Sequence, residues 1–431
     1  MKDPVKSYAS LTLVGIAILG LLILPTVTFA TNGYQLIGVG SYQKSLGGAV
    51  TANPGSAMTA ITNPAGMARI GNRTDFSMEA FMPGRSTDFS AFGGDEVKSD
   101  SELYGVPAIG WTAPVDGQSD LYFGGGMYGT SGLGVDYADT LMMPAGASFT
   151  GNDLIWNGYS NIAFWQMAPT LAWNANDKLS LGVAINIDYQ QVSFQQEIRD
   201  DISDASFNFD LGRSANAFGF GISFGLLYDL SDKVTIGGSY KSKQFFSELK
   251  YNLSPGDIDT TLMGGPAYPG GTYTLDLDFP QQAAIGIAIK ATAALTLSAD
   301  LKWINWSSTM KNLAVEGPDG YDFVMDPGWE DQVVYALGGE YQVTNRLVLR
   351  AGFNYAASPI DENNAASNLI LPGVVEDHYT FGLDYAFTHW DLGFHYMYAP
   401  ENIVRANSGF PGTEIRLKEQ SVGINLGYRW D

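Results

Sequence analysis

The chain has 431 residues, no cysteine, 51 glycines, 13 % aromatic and 16 % charged residues, and a formal net charge of −22. The missing cysteine excludes a disulfide framework and thiolate metal sites, and the acidic balance argues against nucleic acid, which needs Lys and Arg to neutralise phosphates. A soluble protein carries about 25 % charged residues. Few charges with many aromatics and glycines, and no long apolar run in the body, describe an outer-membrane barrel.

The first 30 residues read as a leader. Lys2 and Lys6 give a positive start, Leu11 to Leu24 are apolar, and Thr28-Phe29-Ala30 ends on a small residue. A helical span needs about 20 apolar residues, so this shorter run predicts a secretory signal peptide cleaved near Ala30.

Residues 31–73 do not alternate and are rich in small residues. Asn at an N-cap accepts from free helix N–H groups, and Pro suits the first helical position. Asn63-Pro64 therefore predicts a short helix through Ala65, Gly66, Met67 and Ala68. Asn53-Pro54-Gly55 predicts a turn ahead of another, at Ser56 to Ile61.

From Thr74 to Asp431 the pattern has a period of two. Leu179, Leu181, Val183, Ile185, Ile187 and Tyr189 share one face, and Ser180, Gly182, Ala184, Asn186 and Asp188 the other. That is a strand with one lipid-facing side and one small or polar side. Phe218 to Leu226, Tyr379 to Phe387 and Val422 to Trp430 repeat it. Tight turns near Asp116, Asn176, Ser231, Ala291, Thr344 and Thr388 divide the segment into seven hairpins. The expectation is an all-β fold: a 14-stranded antiparallel transmembrane barrel plugged by the preceding small, mostly helical segment. A barrel this wide is not filled by its own wall side chains. The longer connections fall near 82–103, 130–160, 195–215, 250–275, 308–330, 357–376 and 400–416. The rings Trp303, Trp306, Tyr396 and Tyr398 suit the membrane interfaces. Gly124, Gly125 and Gly126 interrupt the third strand and predict a kink there. Leu141, Met142, Met143, Pro144 and Phe149 offer an apolar capture surface on an outer loop. The acidic excess reads as solvated loops, or as divalent-cation bridging to lipopolysaccharide.

The stretch GYQLIGVGSYQKSLGGAVTANPGSAMTAITNPAGMARI, residues 33–70, resembles the N-terminal hatch of FadL-type outer-membrane transporters of long-chain fatty acids and hydrophobic compounds. Asn63-Pro64-Ala65-Gly66 carries most of the likeness, with Asp278-Phe279-Pro280 and LSADLKWINWSS (Leu297 to Ser308) in support. The resemblance implies passive uptake of fatty acids or hydrocarbons. The ligand would leave sideways through a wall gap beside Asn63 to Gly66 and an inward kink of the third strand. It also implies a monomer in the bacterial outer membrane with no cofactor, among lipids and lipopolysaccharide. Barrels of this kind usually end on an aromatic residue, whereas here Asp431 follows Trp430.

A general porin is the main alternative. It should show ladders of inward Arg and Lys, whereas the inward cations are scattered, Lys241, Lys302, Arg350 and Arg429 among them. A non-transporting adhesin-like barrel is a third reading. The histidines are only His378, His389 and His395, and no nucleophile or metal-binding spacing accompanies them, so an enzyme is not expected.

Overall fold

The computed structural model describes residues 32–430 apart from 118–119 and 204. The expected leader and its cleavage point lie outside these residues. Fourteen antiparallel strands close into a barrel. They are β1 (Arg73–Asp88), β2 (Tyr104–Pro114), β3 (Leu121–Met143), β4 (Leu154–Met167, resuming at Thr170–Asn174), β5 (Leu179–Asp200), β6 (Ser206–Ser231) and β7 (Val234–Lys241). The second half holds β8 (Gln282–Lys290), β9 (Leu295–Ile304), β10 (Gln332–Gln342), β11 (Leu347–Ala356), β12 (Asp377–Ala386), β13 (Trp390–Arg405) and β14 (Glu414–Arg429). Each strand pairs with its chain neighbours. β1 meets β14 from Arg73↔Arg429 to Asp88↔Glu414, so no edge is left open at the seam.

The two-residue period sets which side meets lipid. On β5, Leu181 and Ile185 are exposed while Ala184, Asn186 and Asp188 are buried. Phe218, Phe220, Ile285, Leu337, Phe381 and Ile424 extend the apolar outer belt around the wall.

All six tight turns lie on one rim, which is the periplasmic one in bacterial barrels. Four of the long connections are shorter than the sequence suggested: 82–103 reduces to 89–103, 130–160 to 144–153, 195–215 to 201–205, and 400–416 to 406–413. The strands here are long, with 23 residues in β3, 22 in β5 and 26 in β6. A membrane strand needs about 9–11 residues. The remainder stands outside the bilayer, where neither face must be apolar, so its polar residues read as loop.

Residues 242–281 and 305–331 supply a second sheet on the outer side. Its strands are Leu249–Leu253, Gly271–Leu275, Leu313–Glu316 and Phe323–Met325. Leu249, Tyr251, Leu275 and Val315 join one buried core with Tyr34, Phe279 and Trp306. Trp306 is thus not an interface ring. It is fully buried, packs 4.6 Å from Tyr34 and donates to Gln332 Oε1 at 2.9 Å.

The segment ahead of β1 folds inside the barrel as short helices: α1 (Gly40–Ser45), α2 (Thr59–Thr62), a 3₁₀ turn (Pro64–Gly66) and α3 (Met67–Ile70). Such short helices are marginal alone, and here most residues of the segment are buried inside the barrel.

Candidate functional site

β2 pairs with β1 up to Tyr104↔Phe81. Its pairing with β3 stops lower, at Ala108↔Tyr128. Tyr104 to Pro107 therefore have no β3 partner, and Pro107 has no N–H to offer. The cause lies in β3. Gly129 faces Trp165 on β4, but Ser131 faces Phe164, so Thr130 is an extra residue. This bulge bends the strand. The bent strand pairs instead with the segment inside the barrel: Leu36 N donates to Thr130 O at 3.1 Å, and Gly132 N to Tyr34 O at 3.1 Å.

Higher up, the wall closes again. Asp100 N donates to Asp136 O at 2.8 Å, and Asp136 N to Ser99 Oγ at 3.0 Å. The result is a window, framed by Tyr104 to Pro107 on one side and Gly129 to Val135 on the other. Arg85 and Tyr104 reach across its upper part to the carbonyl of Gly134. Behind it lies a mostly apolar cavity of about 130 Å³, whose lining includes Tyr34, Val106, Leu133, Ile162, Phe164 and Leu417.

A second, more polar cavity of about 50 Å³ lies deeper. Gln35 and Leu36 line both, so the inner segment separates them. Lys241, Lys302 and Gln282 face the deeper one. Lys241 Nζ donates to Gln166 Oε1 at 2.7 Å and sits 5.4 Å from the Phe279 ring centre.

The hatch is tied to the wall on all sides. Lys44 pairs with Glu79 of β1 at 3.0 Å, and Ser41 Oγ meets His395 Nδ1 of β13 at 3.0 Å. Asp300 of β9 accepts from Val50 N and Thr51 N at 2.9 and 2.8 Å. Asp75 of β1 accepts from Ala57 N at 2.7 Å, and Asn354 of β11 donates to Gly47 O at 2.9 Å. Arg69 pairs with Asp229 of β6 at 2.6 Å.

Asn63 caps the 3₁₀ turn as expected: its Oδ1 accepts from Ala65 N at 3.1 Å. Its Nδ2 donates to Thr51 O at 2.7 Å and to Leu226 O of β6 at 3.0 Å. Asn63, Pro64, Ala65 and Gly66 rest on β5 and β6, where the paired Gly182 and Gly225 make room. A Cβ on Gly225 would come within 2.1 Å of Asn63 Oδ1. The motif does not line the apolar cavity behind the window, which Gly33 to Leu36 line instead, although Pro64 and Thr130 both line the deeper cavity.

Gly124, Gly125 and Gly126 do not open the wall either. They pair with Thr112, Trp111 and Gly110 on β2, and Gly124 with Thr170 on β4. Their bareness serves close approach: a Cβ on Gly124 would meet Trp111 O at 2.1 Å and Met67 Cε at 2.5 Å. The opening lies a few residues on, at Thr130. A signal was present in the sequence, because the inward phase changes from Tyr128 and Thr130 to Leu133, Val135 and Tyr137. Nothing in the two-residue pattern marks Arg85 or Tyr104.

The expected capture surface divides. Met142 and Met143 are buried in the core, Leu141 is half-buried on β3, and Phe149 is exposed. Bulges between Tyr137 and Thr140 and between Leu141 and Met143 turn the methionines inward. Among the described residues no His/Cys/Asp/Glu cluster could hold a metal ion.

Residues 26–430 match the family model described as "Outer membrane protein transport protein (OMPP1/FadL/TodX)". A 47 kDa outer membrane protein of Pasteurella multocida (strain Pm70) is 29 % identical over 226 residues, 49 % of this chain and 51 % of that one. The match thus spans about half the length of that relative. Outer membrane protein P1 of Haemophilus influenzae is 24 % identical, over 76 % of this chain and 74 % of its own. A long-chain fatty acid transport protein of Salmonella typhi is 22 % identical, over 75 % and 76 %. Among solved structures, the toluene transporter TodX of Pseudomonas putida superposes with a TM-score of 0.72 at 19 % identity, covering 93 % of this chain and all of that one. A FadL homologue from Pseudomonas aeruginosa gives 0.69 at 18 % identity, again covering 93 % of this chain and all of that one. Both share the fold.

Proposed function

The chain belongs to the OMPP1/FadL/TodX family of outer-membrane transport proteins, and from that premise we propose that it takes up small hydrophobic molecules passively and releases them sideways through the β2–β3 window. The observation that carries this reading is an apolar cavity behind an unpaired stretch of wall in a barrel whose axis is plugged. An apolar solute gains by staying out of water. A route from the cavity through the window into hydrocarbon keeps it so, whereas a route down the axis meets the hatch and its polar anchors. Long-chain acids and hydrocarbons, the cargo in the names of the relatives, both suit such a route.

Deleting Thr130 tests it. The deletion brings Gly129↔Trp165 and Ser131↔Phe164 into regular register and leaves every other β3 side chain on its present face. The straightened strand should pair with Tyr104 to Pro107 and close the window. The expected result is loss of uptake of a radiolabelled hydrophobic probe at normal surface expression. Unchanged uptake in a properly assembled barrel would exclude the window as the exit.

A further inference from the structure

Arg85 stands on β1 with its guanidinium over the window. It is 5 % exposed and lines the apolar cavity. Nη1 donates to Gly134 O and Nη2 to Ser101 O, both neutral carbonyls. Nη1 also lies 3.4 Å from Tyr104 Oη. Nε is buried without a partner. The other lumenal guanidiniums are paired: Arg73 with Asp75 and Asp391, Arg350 with Glu340 and Asp384. Arg85 forms no ion pair with any described carboxylate. Glu419 lines the same cavity but stands 3.6 Å from His378.

A buried cation without an anion is costly unless something supplies the anion. Guanidinium is also the side chain best shaped for a carboxylate, and a charge-assisted bond is about twice as strong as one to a neutral carbonyl. The cavity below offers Leu133, Ile162, Phe164 and Leu417 to an apolar tail. We propose that Arg85 is a specificity-determining residue of the window, receiving the carboxylate of an amphipathic acid whose tail occupies the apolar cavity. The inference rests on the transport reading above and selects acids over neutral hydrocarbons within it. The arriving carboxylate accepts from Nε and competes with the carbonyls of Gly134 and Ser101 for the other donors. Engaging the head group therefore loosens the tie across the window.

The test uses the purified full chain in lipid nanodiscs, with dodecanoate and its uncharged methyl ester as probes at neutral pH. Wild type should bind the acid more tightly than the ester. Arg85→Met should weaken dodecanoate roughly 10- to 100-fold, the loss of one charged hydrogen-bond partner, and leave the ester within about twofold. Arg85→Lys keeps the charge and should restore part of the preference. Lys302→Met, in the deeper cavity, should leave the preference intact. A parallel fall of acid and ester in Arg85→Met would reduce Arg85 to a brace and overturn the proposal. So would loss of the preference in Lys302→Met alone. If Arg85→Met does not assemble, wild type still decides: equal binding of acid and ester overturns the proposal. Binding of neither probe would instead remove the transport reading, and this inference with it.

Discussion

Single residues show how much of the plug depends on absent side chains. Gly33 has φ +67 and sits under two indoles: a Cβ there would lie 2.7 Å from Trp329 and 2.8 Å from Trp306. The positive φ already favours glycine, and the contact leaves no room for anything larger. Gly33→Val should push Tyr34 out of register with Gly132 and weaken hydrophobic-probe binding several-fold in an assembled barrel, read by tryptophan fluorescence and equilibrium binding. Asn63→Ala is the complementary case. It removes the cap on Ala65 N and the donors to Thr51 O and Leu226 O. With the Thr51 carbonyl buried and that of Leu226 partly so, the local loss is about 1–3 kcal/mol. Faster amide exchange at Ala49 to Ala52 and Ala65 to Met67, with the barrel amides unchanged, is the expected signature. Protection equal to wild type would show that the motif does not hold the hatch. The cap itself was legible in the sequence, since Asn before Pro has one main use at a helix start. Its seat was not. Gly182 and Gly225 look like any inward glycine of a barrel wall, and only their pairing with each other shows the space they leave.

At the scale of elements, the period of two made the barrel legible wherever lipid touches the wall, because hydrocarbon tolerates only one kind of outer face. It failed where that demand ends. The upper parts of β3, β5 and β6 are held by polar contacts instead, and so resemble loops. One of these contacts joins the strands through Asp139, Asn157, Glu197 and Arg199. The hydrogen bond from Arg199 holds the Asp139 carboxyl below its ordinary range. Asp200 is held low as well, chiefly by the backbone N–H of Ser203. Both groups are depressed in the folded state. Their contribution is thus present above the ordinary carboxylate pKa of about 4 and is lost as the pH falls through the lower folded values. Protection of the Glu197 to Ser203 amides, corrected for the intrinsic pH dependence of exchange, should therefore be high at neutral pH and fall below about pH 4, while the membrane-level amides of β5 stay protected. A fall already near pH 6 would mean that other groups hold these tips. The window escaped the sequence for a related reason. A run of three glycines is a louder signal than one extra threonine, yet the glycines stay paired with β2 despite the positive φ of Gly125, whereas the extra threonine shifts the register of the strand.

For the whole molecule, the question is what closes the lumen of a barrel of this girth. Its wall alone would leave a lumen, so the barrier is the hatch, and the hatch has little core of its own. Its order is set by ties to β1, β6, β9, β11 and β13, several of them buried and charged. Wild type in a planar bilayer should accordingly pass no large steady current, whereas a general porin would. The Lys44–Glu79 pair makes the sharper test. Both groups are almost wholly buried, at 1 % and 3 % exposure. Removing one partner of such a pair strands a buried charge, at a cost of roughly 3–5 kcal/mol, whereas replacing both with apolar groups is often neutral. His395 Nε2, 3.8 Å from Glu79, is a weak substitute for the lost ammonium. Lys44→Met should thus let α1 lift from the wall and produce flickering openings. Lys44→Met with Glu79→Met should be quiet again, because no charge is left seeking water. If the double variant conducts as much as the single one, the pair acts through attraction rather than through the cost of an unpaired charge. A silent single variant would mean that the remaining ties suffice to hold the hatch as a fixed floor across the lumen.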